Sequence, residues 1–400
     1  MSALPIAIVG TGPAALMAGH ELVAQGHAVR FFEKKRGPGR KFLIAGSSGL
    51  NITYDAPIEE FLRNYSGPPE RFERFLSEFP PQAWIGFIES LGIKTFKGTS
   101  RRYFVEGLKA STLLRAWITG LESRGAGFEY GAELLDFEST GERVLLRFGG
   151  SGEGGIREVE VKAALLALGG GSWEHSETPL RWPEILGRKK LKFHPFQSSN
   201  AGFQVDWPAK LLEEAEGLPI KNVVLHSARG TRSGDPVITK YGMEGTPVYF
   251  AGDLGLNHLD LKPDLSREAL LKRLGSTREN LSPMRRVKKL LGLGEGALAL
   301  VFHLTPRSEL ESLEKLVDRI KRFPIVFRAR QPLTESISSS GGLDWSEVDR
   351  EMMLLRHPGV FVAGEMLDWD APTGGFLIQA SVSQGFAAGR GMARLLARSP

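Results

Sequence analysis

Between Ile6 and Lys35 the chain reads IAIVGTGPAALMAGHELVAQGHAVRFFEKK, and this stretch restricts the fold more than any other. Ile6 to Val9 form a short apolar run of the kind that suits a parallel strand buried on both faces. Gly10, Gly12 and Ala15 follow as G-x-G-x-x-A, with Pro13 and Ala14 inside the motif. Gly10 permits a tight turn, Gly12 lets the backbone approach a pyrophosphate, and Ala15 lets helix and strand pack closely. The helix predicted through Gln25 turns its positive end toward those phosphates. After Gly26, residues Ala28 to Phe32 read as a second strand that ends at Glu33. Glu33 stands 21 positions beyond Gly12, where a carboxylate meets an adenosine ribose. Strand, turn, helix, strand and acid in register specify a dinucleotide-binding unit rather than a chance glycine-rich turn. The carboxylate repels a 2′-phosphate, so FAD or NAD is expected here and NADP is not.

The segment after Glu33 separates the two. KKRGPGRKFLIAGSSGLNIT is basic and glycine-rich, where a plain NAD domain would proceed into another helix and strand. It reads as a loop wrapping a longer ligand, with Lys34, Arg40, Lys41, Gly46 and Asn51 as candidate contacts. Further on, Val144 to Phe148 and Ile156 to Val161 flank a polar glycine turn and predict a β-hairpin. An apolar strand, Ala164 to Leu168, then ends in Gly169, Gly170 and Gly171. Another, Val360 to Ala363, ends at Gly364 and Glu365, which are expected beside the pyrophosphate and ribityl chain. Thr373, Gly374 and Gly375 form a turn that opens a helix predicted from Phe376 to Ala388. No βαβ unit lies behind that turn, so it is not a second phosphate loop. It is expected to aim a helix end at a flavin ring, where reduction places negative charge on N1 and O2. GLGEGA, beginning at Gly292, follows a helix instead of a strand and is set aside as a nucleotide motif.

Composition narrows the remaining classes. Four hundred residues exceed what one core usually serves, so more than one domain is expected. The absence of cysteine excludes disulfides, thiolate metal sites and dithiol redox chemistry, and fits a cytoplasmic chain. No apolar run approaches the length of a membrane span, and the N-terminus runs straight into a strand without the basic region of a signal peptide. No spacing of His, Asp or Glu suggests a metal, and His175 and His194 read as ordinary histidines.

Several segments together resemble one family, the BaiN/YhiN-like flavoproteins. They are GRKFLIAGSSGLNIT, RRYFVEGLKAS, ITKYGMEGTPVYF, ESISSSGGLDWSEVD and GVFVAGEMLDWDAPTGGFLIQA, in the family's order and across most of the chain. The resemblance implies bound FAD in a Rossmann-like α/β domain with a β-meander, split in sequence as 1–191 and 341–400. It also implies an inserted β-barrel-like domain, 192–260 with 323–340, carrying a helical insert at 261–322. The family includes reductases of conjugated C=C bonds, acting on a steroid-like ring or on uracil in ribosomal RNA. One departure stands out: where most members carry Gly-Gly-Gly-Arg-Cys-Asn, this chain has Ser47, Ser48, Gly49, Leu50 and Asn51 after Gly46. A mechanism that uses that thiol or guanidinium is therefore absent here.

The middle of the chain fits the insert. NAGFQVDW, IKNVVLHSA, DPVITKYG and TPVYFAGD read as short strands, and the stretch from Lys262 to Arg322 reads as helices with Asp264 or Ser266 as first N-cap. With no second dinucleotide unit, NADH or NADPH is expected to visit the flavin only transiently as electron donor. Tyr241 and Glu244 are the candidate catalytic residues, because the resemblance places their loop near the flavin; packing of Tyr241 in a strand is the alternative. Arg285, Arg286, Lys288 and Lys289, with Arg319, Lys321, Arg322, Arg328 and Arg330, form either a solvated face or an RNA contact surface. Three functions are compatible with these features: a C=C reductase of a small molecule, an enzyme reducing uracil in RNA, and a flavin-binding regulatory protein without turnover.

Overall fold

The computed structural model describes residues 4–46, 49–98, 100–150, 155–173, 180–251, 253–277 and 279–398. They gather into two compact units, one running to Gln197 and resuming at Ile337, the other covering Ser198–Ser336. No helix among the described residues is long and apolar enough to cross a membrane.

In the first unit, strand β1 (Ile6–Val9), helix α1 (Pro13–Ala24) and strand β2 (Val29–Glu33) follow one another as the sequence predicts. β1 occupies the middle of a five-stranded sheet whose order is Val360–Val362, Ala163–Leu166, β1, β2, Gly127–Tyr130. Every pairing in it is parallel, with Ile8 opposite Leu165 on one side and Phe31 on the other. All residues of β1, Ala163–Leu166 and Val360–Val362 are buried, which explains why these strands are continuous apolar runs rather than alternating ones. The predicted hairpin is part of a meander, Ala132–Ser139, Val144–Gly150 and Arg157–Val161, paired antiparallel in that order.

Helix α1 lies along the C-terminal helix, Phe376–Arg398. The two backbones come so close that a Cβ on Gly385 would stand 2.2 Å from Ala14 O. This helix runs past the expected end at Ala388, because Gly391, Met392 and Ala393 continue the buried face.

The stretch after Glu33 is not simply the expected loop. It contains helix α2 (Arg40–Ala45) and strand β3 (Asn51–Tyr54). Gly39, with φ +58°, ends the loop in a conformation suited to glycine, and buried Phe42 anchors the helix. β3 pairs antiparallel with Arg102–Val105. Gly49 has φ +119° and Leu50 is 1% exposed, so the position where the family resemblance expects a thiol carries a core side chain.

The second unit has its own core, built from antiparallel sheets of four and three strands and from helices. Arg267–Gly275, Pro283–Leu290, Glu295–Leu304 and Leu313–Lys321 are helices, and Ser266 caps the first by accepting from Ala269 N. That settles the cap in favour of Ser266 over Asp264. One expected strand is a helix: TPVYFA forms the turn-and-a-half Thr246–Ala251. Gly245 at φ +109° breaks the preceding strand, and Pro247 suits a helix's first turn better than a sheet ladder.

Candidate active site

At the carboxyl edge of the parallel sheet lies a cavity of about 1100 Å³, walled by residues of the first unit alone. It slightly exceeds the roughly 300–1,000 Å³ common for ligand pockets. Gly10, Gly12, Pro13, Ala14 and Ala15 line it together with Glu33, Lys34, Arg40 and Lys41. Gly169, Gly364 and Glu365 close the opposite side. Residues far apart in sequence thus meet on one ligand-sized space.

The two motif glycines serve different ends. Gly10 has φ +109°, and a Cβ there would lie 2.3 Å from Ala167 O, so the fold itself requires glycine. At Gly12 a Cβ would meet nothing within 4 Å. The fold leaves that space open, and a bound phosphate is what would fill it. Helix α1 starts there with Gly12 as N-cap, Pro13 in the first turn and no acidic side chain to neutralise its positive end. Its first N–H groups have no intrahelical partner, which makes this end attractive to an anion. The cations of Lys34, Arg36, Arg40 and Lys41 line the same cavity and add to that field.

Glu33 is fixed rather than free to swing. Its carboxylate accepts from the Thr11 hydroxyl at 2.5 Å and from Lys35 N at 3.0 Å, while Gly39 N donates to Thr11 Oγ1. Across the cavity Lys41 Nζ donates to Gly170 O, and Gly171 N donates to Ser339 Oγ. Gly364 N donates to Gln384 Oε1 and Gly364 O accepts from the Trp369 indole, which holds the loop after Val360–Val362 in place. Glu365 opens on the cavity but is otherwise surrounded by protein. Burial pushes its carboxyl above the usual range, Lys41 opposes the shift and Asp370 adds to it.

The remaining predicted contacts form a second group. Gly46, Asn51, Gly170, Thr373, Gly374, Gly375 and Phe376 do not line the cavity. Most of them gather around β3 instead: a Cβ on Gly375 would come 2.6 Å from the Thr53 backbone, and the Phe376 ring packs tilted against Tyr54. Tyr241 and Glu244 meet in the second unit, where the phenol donates to Glu244 Oε2 at 2.8 Å. Burial pushes the Tyr241 phenol well up, and the bond to Glu244 adds to the shift. Asp344 accepts from His194 and Lys192. Burial alone would raise its carboxyl; its hydrogen bonds from Lys192, Ser346 and His194 win, and it sits far below the usual range. His175 lies outside the described residues.

Sequence reasoning missed Thr11, the Ala132–Leu134 wall and Trp182. Thr11 sits at a variable position of the glycine motif, and Trp182 belongs to no spacing pattern. Buried polar atoms also lack partners among the described residues: Asn51 Oδ1, Trp182 Nε1 and Gln384 Nε2. Of these three residues only Trp182 lines the cavity; an open glycine cradle, an uncompensated helix end, a tethered acid and that unpartnered indole N–H fit an anionic, hydrogen-bonding ligand. FAD is such a molecule.

A parallel sheet whose first helix opens on such a cavity is the build of FAD-dependent oxidoreductases, and this chain is one. Over residues 4–391 it matches the HI0933-like protein Rossmann domain, and it belongs to that family. It is 23% identical to a 3-dehydro-bile acid delta(4,6)-reductase of Clostridium scindens, covering 97% of this chain and 98% of that protein. It is 22% identical to a ribosomal RNA dihydrouridine synthase of Escherichia coli, covering 95% and 96%. Among solved structures, a 3-ketosteroid delta1-dehydrogenase from Sterolibacterium denitrificans superimposes with a TM-score of 0.54 at 10% identity, covering 98% of this chain and all of that one (100%). A 3-ketosteroid-delta4-(5alpha)-dehydrogenase from Rhodococcus jostii gives 0.52 at 13% identity, covering 98% and 96%. At such identities the structural likeness speaks to the fold.

Proposed function

We propose that the chain reduces a conjugated C=C bond of a small molecule, with NADH or NADPH as the source of electrons. The observation that carries this reading is the match to the delta(4,6)-reductase, which spans both chains almost end to end. Bound FAD supplies hydride transfer; the protein supplies binding, orientation and electrostatics. Gly10, Gly12, Pro13, Ala14 and Ala15 would hold the pyrophosphate, Glu33 the ribose, and Lys34, Arg40 and Lys41 the negative charge. Gly169, Gly170, Gly364 and Glu365 would follow the ribityl chain. Gly46, Asn51 and the turn Thr373, Gly374, Gly375 and Phe376 would meet the ring. Reduction of a C=C bond adds a hydride to one carbon and a proton to the other, and Tyr241, hydrogen-bonded to Glu244, is the proposed proton donor. The chain would work in the cytoplasm.

The test is product analysis. Purified protein with NADPH and a conjugated steroid dienone should yield a product heavier by two hydrogens, and Tyr241→Phe should slow its formation about a hundredfold. No product with any dienone or enone sinks the reading.

The match to the dihydrouridine synthase supports a second reading, uracil reduction in RNA. The basic cluster gives it less help than the sequence promised. Arg286 donates to Leu281 O and Leu274 O, Lys289 pairs with Glu279, Lys321 with Asp260, and Arg328 with Asp206. Unchanged dihydrouridine in ribosomal RNA from a deletion strain would remove this alternative.

A further inference from the structure

A fully buried chain of hydrogen bonds runs beneath the first turn of the C-terminal helix, and the nucleotide motifs do not account for it. The Thr53 hydroxyl donates to Gln379 Oε1 at 2.7 Å. Gln379 Nε2 donates to Phe79 O at 3.1 Å and to Ser383 Oγ at 3.0 Å, and Ser383 Oγ donates to Phe79 O at 2.7 Å. Thr53, Gln379 and Ser383 are each 0% exposed. Gln379 N donates to Gly375 O at 3.0 Å, and Gly375 presses on the Thr53 backbone. The turn is therefore tied to β3 twice, by direct backbone contact and through side chains.

Such a chain is a poor source of stability, because each of its groups leaves water to make it and apolar side chains of like size would bury as well. What a satisfied buried network does supply is a single geometry. The geometry fixed here is that of a helix start. The first N–H groups of a helix lack intrahelical partners, and this helix carries no acid in its first turn. A Cβ on Gly374 would stand 3.0 Å from Arg102 Nε, on the strand paired with β3, so a guanidinium lies beside the same turn.

We propose that Gln379 is a positioning residue: with Thr53 it holds the turn Thr373–Phe376 at a fixed distance from the reducible ring of bound FAD. Fixed dipoles stabilise charge far better than ones that must reorganise, so the clamp governs how well the ring carries negative charge. This rests on the reading that the turn faces the ring. Removing the Thr53 hydroxyl leaves Gln379 Oε1 buried without its donor, and the side chain and the turn it carries must then shift.

Thr53→Val, made in the full FAD-loaded chain, tests the clamp. Sulfite adds to oxidised flavin, bleaches it and leaves negative charge on the ring, so its affinity reads charge stabilisation with no substrate present. The expected result is undiminished FAD content, sulfite affinity weaker by roughly tenfold, and recovery in Thr53→Ser, which keeps the donor. A lower melting temperature with unchanged sulfite affinity would overturn the proposal, since a merely structural network does only that. Should Thr53→Val fail to fold, Ser383→Ala breaks the far end of the chain and is read the same way. Where the wild type binds sulfite too weakly to titrate, the midpoint potential replaces it: a lower value in the variant supports the clamp and an equal one overturns it. A wild type that reduces no C=C bond refutes the proposed reaction and leaves this comparison intact.

Discussion

Gly10 and Gly12 look alike in the sequence and differ in what each is for. A methyl on Gly10 would collide with Ala167 O and would also need a backbone at φ +109°. Gly10→Ala should therefore destabilise the fold by about 2–4 kcal/mol and abolish FAD retention together. A methyl on Gly12 meets only open space. Gly12→Ala should leave the apo-protein within about 1 kcal/mol of wild type while FAD affinity falls steeply. Thermal melts with and without FAD separate the two effects, and equal behaviour of the two variants would refute the assignment. Glu365 gives a prediction with a sign. Its folded-state carboxyl is raised by burial, so folding favours the protonated form. The stability tied to that proton is complete below the ordinary glutamate range, about 4.3, and drains away as pH rises through the raised value. In FAD-free protein Glu365→Gln should gain stability over wild type at neutral pH and lose that gain in acid, as melting at several pH values will show.

At the scale of elements, legibility followed sequence locality. β1, α1 and β2 were readable because strand, glycine turn, helix and acid are contiguous and their spacing is set by one βαβ geometry. Thr246–Ala251 was misread because Val, Tyr and Phe favour strands on their own, while Gly245 and Pro247 decide the backbone. The length of the C-terminal helix was hidden for a different reason. Its glycines lower helix propensity, and only their neighbours explain them: Gly385 and Gly389 let the helix lie against α1, and Gly391 lets it pass the Glu351 backbone. Gly385→Leu should consequently force the two helices apart and cost roughly 3 kcal/mol or more. Because α1 carries the phosphate end of the site, FAD content should fall with it; a variant that keeps full FAD and wild-type stability would refute the close packing.

Across the whole molecule, both ends of the chain converge on one ligand site. Glycines before α1 and after Val360–Val362 line the same cavity although some 350 residues of chain separate Gly10 from Gly364. The phosphate half of that site was legible because its residues obey spacing rules. The Thr11 tether, the Trp182 wall and the Gln379 chain were not, since each depends on side chains brought together only by folding. The substrate side is set by shape rather than motif, and sequence has no short code for it. The most direct test is one anaerobic absorption experiment on the FAD-loaded protein. NADH or NADPH should bleach the flavin bands, and a conjugated dienone added afterwards should restore them at one equivalent per flavin. A flavin that neither nicotinamide bleaches, or that stays bleached in the presence of every conjugated acceptor, would contradict the account.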